Sequence, residues 1–299
     1  MRKALLIGSM GNIGVPLSKH LRKQGWQVLE SDHHPAWRDD YLMADINQPL
    51  DLLPAFDWKP DVVFLLAAMV SRVTCEQAGG LAVETNLKGL FNVLELCKRS
   101  NAKCVFFSTS EVYGPECDPM DEAISDPMPN NRYGLTKLLG EKLVEYEVRQ
   151  HGMKAVILRP FMMYDENEDF GDHRSAMIRF AWRLAQGWPI EVHQGSARGW
   201  FHADDAVRAI AAAADYNEFS IINIGHPDIV PIADLAEMVR TQLGAAKELV
   251  SIRDLPERMT LIKRPSLDRQ SKLLGIVPQV SLSEGVARVC RTAVERLQA

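Results

Sequence analysis

What the chain lacks narrows its class before any motif is read. No apolar run approaches the roughly 20 residues that a membrane-spanning helix requires. The start, MRKALLIGSMGNIG, is basic, but its apolar run of about four residues stops at a glycine, too short for a secretory core segment. Basic charge is not in excess either. Against 34 Lys and Arg stand 39 Asp and Glu, a net charge of −5, which favours neither a nucleic acid nor an anionic membrane as partner. Cys-x-x-Cys pairs are missing. The five cysteines, Cys75, Cys97, Cys104, Cys117 and Cys290, keep no metal-ligand spacing with a histidine, so no metal site is expected. Their odd number and the absent export signal point to reduced thiols in the cytoplasm, most of them small buried hydrophobes. With 299 residues, 46% of them hydrophobic and 24% charged, the chain suits one large domain or two modest ones.

What is present is alternation. Apolar runs at Ala4–Ile7, Val28–Leu29, Asp61–Ala68, Cys104–Ser108 and Lys154–Leu158 are separated by helical stretches at Val15–Gln24, Leu87–Ser100 and Tyr133–Gln150. Strands spaced by helices imply a parallel sheet covered on both faces, a doubly wound α/β fold. Beyond about Pro160 the rhythm loosens. Asp165–Arg174 reads as a loop; helices are expected at Ala176–Gln186, Asp204–Ala214 and Ile232–Leu243, and a late strand at Ile221–Ile224. The expectation is a nucleotide-binding domain over residues 1–160 and a smaller, mixed α/β lobe over 161–299. Residues around 200–225 return to the first domain, and the cleft between the two is the working site.

Gly8-Ser9-Met10-Gly11-Asn12-Ile13-Gly14 lies between the first strand and the first helix. Glycines there allow a tight turn and let main-chain amides approach a pyrophosphate at a helix N-terminus. Position after the first strand makes the motif far more specific than a glycine triplet alone. Asp32 ends the second strand, where a carboxylate accepts from ribose hydroxyls and repels a 2′-phosphate, favouring NAD over NADP. His33 and His34 read as turn residues. Asp45 is either a contact to the adenine edge or an ordinary turn aspartate.

Tyr133 and Lys137 share one face of a helix. An ammonium so placed stabilises a phenolate and brings a tyrosine toward proton transfer at neutral pH; taken alone, the pair reads rather as an ordinary surface couple. Upstream, Ser108-Thr109-Ser110-Glu111-Val112-Tyr113-Gly114 follows the fourth strand, at the end where open parallel sheets bind ligands. Thr109 could share the moving proton with Tyr133, and Glu111 could act on a neighbouring carbon.

These motifs, with Leu65-Leu66-Ala67-Ala68, Asn86, Leu158-Arg159-Pro160-Phe161, Arg198-Gly-Trp-Phe-His-Ala-Asp-Asp205 and Arg264-Pro265…Asp268…Lys272-Leu-Leu-Gly275, run nearly the whole length of the chain. In this order the sequence resembles the extended short-chain dehydrogenase/reductase family, in its nucleotide-sugar epimerase/dehydratase branch. The resemblance implies a Rossmann-type fold, NAD as cofactor, a nucleotide-sugar substrate and a homodimer built on the helices Leu87–Ser100 and Tyr133–Gln150. It implies Tyr133 as acid/base, Lys137 as its tuner and ribose ligand, and Thr109 as proton relay, with Ser110 and Glu111 beside them. Gly8, Met10, Gly11, Asn12, Ile13, Gly14, Asp32, Asp45, Ile46, Leu66, Ala67, Ala68, Asn86, Ser108 and Pro160 would line the dinucleotide. Met69, Met162, Arg198 and Arg264 would join the catalytic group around the substrate, Arg198 on its diphosphate or else in a salt bridge to Asp204–Asp205.

Three departures concern the substrate. Met162 stands where the family usually has an asparagine, Asp165-Glu166 replace Gly-Pro, and Asn12 takes a place often aromatic or bulky. The family's 4,6-dehydratases have an aspartate where this chain has Ser110, which argues against that elimination. Its uronate decarboxylases carry Thr-Ser-Glu with a later arginine, and some epimerases and 4-keto reductases share the segment too. A 4-epimerase, working through a transient 4-keto sugar, is the first expectation; reductase, decarboxylase and dehydratase follow. An acid/base role for Cys117 or Lys88 would be needed only for epimerisation at C3 or C5. A non-catalytic dinucleotide sensor would be expected to lose Tyr133 or Lys137, and both are present.

Overall fold

The computed structural model describes residues 1–124, 126–171, 174–254 and 260–298. Seven strands make one parallel sheet: β1 (Lys3–Ile7), β2 (Gln27–Asp32), β3 (Tyr41–Met43), β4 (Val62–Leu65), β5 (Lys103–Phe107), β6 (Ala155–Pro160) and β7 (Ile221–Ile224). Their order across the sheet is β7-β6-β5-β4-β1-β2-β3, so the direction of winding reverses between β1 and β4. Every residue of β4 and β5 is buried, as strands covered on both faces require.

On one face pack α1 (Gly14–Lys23), through Leu17 and Leu21, and α6 (Ala203–Asp215), through Ala206, Ala209, Ile210 and Ala213. On the other lie α2 (Pro49–Asp57), α3 (Gly89–Ser100) and α4 (Arg132–His151). A further core joins α5 (Ala176–Ala185), α7 (Ile232–Leu243) and α8 (Leu282–Gln298) around Trp200. Short strands frame that core: Ala197–Gly199 pairs with Ile229–Pro231 and Ile262–Lys263, and Ile190–His193 with Val250–Arg253.

The doubly wound expectation holds, with differences at the edges. β3, α2 and α8 carry no expectation from the sequence reading. In α2, Pro49 opens the helix and Pro54 sits within it, which hides the helical signal. The stretch expected to be helical from Leu87 becomes α only at Gly89, because Glu84–Lys88 forms a π-helical turn. The described part of Asp165–Arg174 has no helix or strand; residues 172 and 173 of that expected loop lie outside the described residues. Among the described residues, no helix is long and apolar enough to cross a membrane.

Candidate active site

A cleft of about 1030 Å³ opens along the C-terminal ends of the strands, at the reversal between β1 and β4. Its dinucleotide wall is mostly main chain. Gly8 has φ +91°, and a Cβ there would fall 2.5 Å from the Ala67 nitrogen; a Cβ on Gly14 would fall 2.4 Å from the Ser9 oxygen. Gly11 leaves its side open, with nothing nearer than 3.5 Å. No side chain caps the N-terminus of α1; Val15 donates to the Gly11 carbonyl (3.2 Å) and Pro16 has no N–H, so the positive end of the helix faces the cleft beside Gly14. Asp32 is buried at the end of β2 and accepts the amides of Met10 (3.1 Å) and His34 (3.3 Å). The cradle, the uncapped helix end and the buried carboxylate fit an NAD pyrophosphate and ribose.

Most of the expected dinucleotide residues line this cleft: Gly8, Met10–Gly14, Asp32, Asp45, Ile46, Leu66–Ala68, Ser108, Tyr133, Lys137 and Pro160. Met162 lines it too, with φ +25°, a conformation L residues rarely adopt. Asn86 is different. Its side chain is buried and spent: the amide accepts from the Met69 nitrogen (2.8 Å) and donates to the Met69 oxygen (3.0 Å) and to Thr136 Oγ1 (2.9 Å). It shapes the segment after β4 rather than facing the cleft, and Met69 is the residue it holds.

The reactive group gathers where β5 ends and α4 begins. Thr109 accepts from the Glu111 amide (3.2 Å) and starts the 3₁₀ turn Ser110–Tyr113. Asn131 caps α4 through the Gly134 amide (2.8 Å) and with its Nδ2 donates to Glu111 Oε2 (2.9 Å), tying the helix start to that turn. Tyr133 follows two residues later, near the Thr109 hydroxyl. Burial pushes its phenol above the ordinary range, and Thr109 opposes the rise. Lys137, one turn on, is buried and donates to the Phe107 carbonyl (2.7 Å). Burial pulls it down to about 7, against the attraction of Glu141. Glu141 in turn takes a bidentate pair from Arg159 (2.9 and 2.6 Å) and a bond from Ser108 Oγ.

The structure adds a residue absent from the expected site. Lys263 is buried and ion-paired with Glu111, with Ser110 Oγ at 3.4 Å. Burial favours the neutral carboxyl, but Lys263, Arg72 (3.9 Å) and Asn131 outweigh it and hold Glu111 below the usual carboxylate range. The signal in the sequence is faint: Lys263 directly precedes the Arg264-Pro265 motif, and side chains along a strand alternate in and out.

Both arginines expected at the substrate are placed otherwise. Arg198 is buried and donates to the carbonyls of Ala197 (2.8 Å), Leu261 (2.6 Å) and Thr260 (2.6 Å), so its guanidinium is bound to main chain. The salt bridge to Asp204–Asp205 is not formed either. Asp205 pairs with Arg208 (2.6 Å) and Asp204 with Arg288 (2.7 Å). Arg264 faces solvent against Asp118 (3.1 Å).

Residues 4–225 match the model of the NAD dependent epimerase/dehydratase family. The chain is 26% identical over 306 residues to UDP-glucuronic acid decarboxylase 3 of Arabidopsis thaliana, covering 95% of this chain and 86% of that one. Its fold is that of the UDP-glucose 4-epimerase of Thermotoga maritima solved with UDP-glucose, at TM-score 0.91 and 23% identity over 99% of both chains. The UDP-glucose 4-epimerase of Thermus thermophilus in complex with NAD superposes at TM-score 0.86, with 24% identity over 97% of this chain and 98% of that one. With the match extending from the glycine turn through β7, the chain belongs to the NAD dependent epimerase/dehydratase family.

Proposed function

We propose that the protein oxidises and re-reduces C4 of a nucleotide-activated sugar, with 4-epimerisation as the net reaction. The observation that carries this reading is the Thr109–Tyr133–Lys137 group at the end of β5, beside the glycine cradle. When bound in the glycine cradle, NAD would supply the acceptor and donor of the C4 hydride. Tyr133 takes the proton of the 4-hydroxyl and later gives it back, with the Thr109 hydroxyl shared between phenol and sugar. Lys137 stands one turn away, where an ammonium favours the phenolate. Asp32 meets the adenosine ribose and sets the preference for NAD. Residues up to about 160 serve the cofactor and those beyond mainly the substrate.

Glu111, paired with Lys263, stays an anion at neutral pH, but Ser110 is a poor acid to assist a departing hydroxyl, which disfavours the elimination of water. A second reading has its own support. Lys263 and Arg198 place two cations beside the carboxylate of Glu111, surroundings that suit an acidic sugar and the loss of carbon dioxide after C4 oxidation.

Incubation with UDP-, GDP-, dTDP- and CDP-hexoses and UDP-glucuronate, without added reductant, separates these. A new product of unchanged mass supports epimerisation, and one lighter by carbon dioxide supports the second reading. A product lighter by water makes Glu111 an eliminating base, and no product from any sugar contradicts both readings.

A homodimer completes the proposal. Leu81 and Val83, Phe91 on α3, and Leu135, Leu139 and Tyr146 on α4 leave large apolar side chains exposed on neighbouring helices. Gel filtration at micromolar concentration should give twice the chain mass; a monomer mass would contradict it. The five free thiols suit a reducing cytoplasm.

A further inference from the structure

Asn12, the residue that departs from the family's usual bulky side chain in the glycine turn, is held from across the cleft. Its Nδ2 donates to Glu168 Oε2 (2.9 Å), and its Oδ1 accepts from Arg174 Nη1 (3.1 Å). An acceptor on one end and a donor on the other fix the orientation of the amide. Both partners come from the segment after Met163–Tyr164, more than 150 residues away in the chain. All three line the cleft beside Gly11 and Ile13, and Arg174 and Lys137 are the Arg and Lys side chains among its described lining residues.

The segment Asp165–Gly171 is fastened from behind. Asp165 Oδ1 accepts the Asn167 amide (2.7 Å), and Glu168 Oε1 accepts the Asp165 amide (3.1 Å). Arg296, near the end of α8, donates to the carbonyls of Glu168 (2.8 Å) and Asn167 (3.0 Å) and lies over the Phe170 ring. Phe170 stacks flat on Trp182 of α5, ring centres 4.2 Å apart. One end of the segment is bolted to the C-terminal helices, and the other touches the turn that fits the pyrophosphate.

We propose that Asn12, Glu168 and Arg174 form a clasp across the dinucleotide pyrophosphate, with Arg174 supplying the cation that the glycine turn itself lacks. The clasp must open before the cofactor leaves, so it keeps NAD in place through an oxidation and reduction that share one nicotinamide. This rests on NAD lying in the glycine turn and is independent of which sugar is bound.

Release of NADH from the whole protein, followed by its fluorescence after mixing with excess NAD, tests the clasp without any sugar. Loss of a charge-assisted hydrogen bond corresponds to roughly tenfold or more in rate. Arg174→Ala should therefore speed release by about that factor. The double variant Asn12→Ala/Arg174→Ala should speed release by less than the product of the two single effects, because each single variant already breaks the Asn12–Arg174 bond. Arg296→Ala is decisive, since Arg296 lies outside the cleft lining and acts only by fastening the segment; it should speed release several-fold. A wild-type release rate in Arg174→Ala or Arg296→Ala overturns the clasp, as does full multiplication of the two single effects in the double variant. Failure of the wild-type protein to bind NADH would instead overturn the cofactor assignment.

Discussion

The dinucleotide side of the cleft and the region beyond the end of β5 are made of different material. The dinucleotide side is backbone: a turn in which Gly8 and Gly14 leave no room for a Cβ, an uncapped helix end, and one buried carboxylate at the tip of β2. The region beyond the end of β5 is charge. Glu111 is ion-paired with Lys263, Arg198 donates to three carbonyls, and Arg264 is turned to solvent against Asp118. A backbone cradle accepts any ligand that carries a pyrophosphate and needs only small residues at fixed spacing. Buried ion pairs depend on geometry at both ends, and losing one partner leaves an uncompensated charge. The first can thus serve a whole family with one cofactor, while the second depends on which residues meet across the fold.

That contrast is sharpest at Lys263. Replacing it with Met takes the buried ammonium from Glu111 and leaves it only Asn131 and the more distant Arg72, and the protein should lose about 3 kcal/mol of stability in denaturant unfolding. Adding Glu111→Gln to Lys263→Met should recover most of that loss. A cost below about 1 kcal/mol for Lys263→Met would mean the pair behaves as a solvated surface couple.

A smaller effect is expected at Glu168. Burial, with Asp165 and Asp169 nearby, raises its carboxyl to about 7 despite the Asp165 amide and Arg174. Below about pH 4.5 the group is protonated in the folded and unfolded chain alike, and nothing is lost. Between 4.5 and 7 the unfolded chain ionises first, so stability falls as pH rises, and above 7 the penalty is complete, at most about 3 kcal/mol. Glu168→Gln removes that term. Its stability relative to wild type should therefore improve from pH 5 to pH 8 by up to about that amount. A difference independent of pH would show that the carboxyl is solvated.

The same contrast explains what could be read before the structure. β1, the glycine turn, Asp32 and the Tyr133–Lys137 spacing are local patterns, each within a few residues or one helical turn, and they stand where the sequence places them. Asn86 was legible as a site residue but not as a brace, because its partners Met69 and Thr136 are 17 and 50 residues away. Lys263 meets Glu111 across 152 residues, and Asn12 meets Arg174 across 162. No periodicity encodes such meetings. The arginines mislead for a related reason: an arginine in a motif announces charge, and only the fold shows that the Ala197, Thr260 and Leu261 carbonyls have taken Arg198.

The central claim is that proton transfer and cofactor binding occupy one cleft but depend on different groups. Tyr133→Phe tests it most directly, with turnover of the accepted nucleotide sugar and NADH binding measured on the same preparation. The account predicts turnover lower by two or more orders of magnitude, about the contribution of a general acid/base, with NADH binding close to wild type. Near-normal turnover in Tyr133→Phe would contradict it.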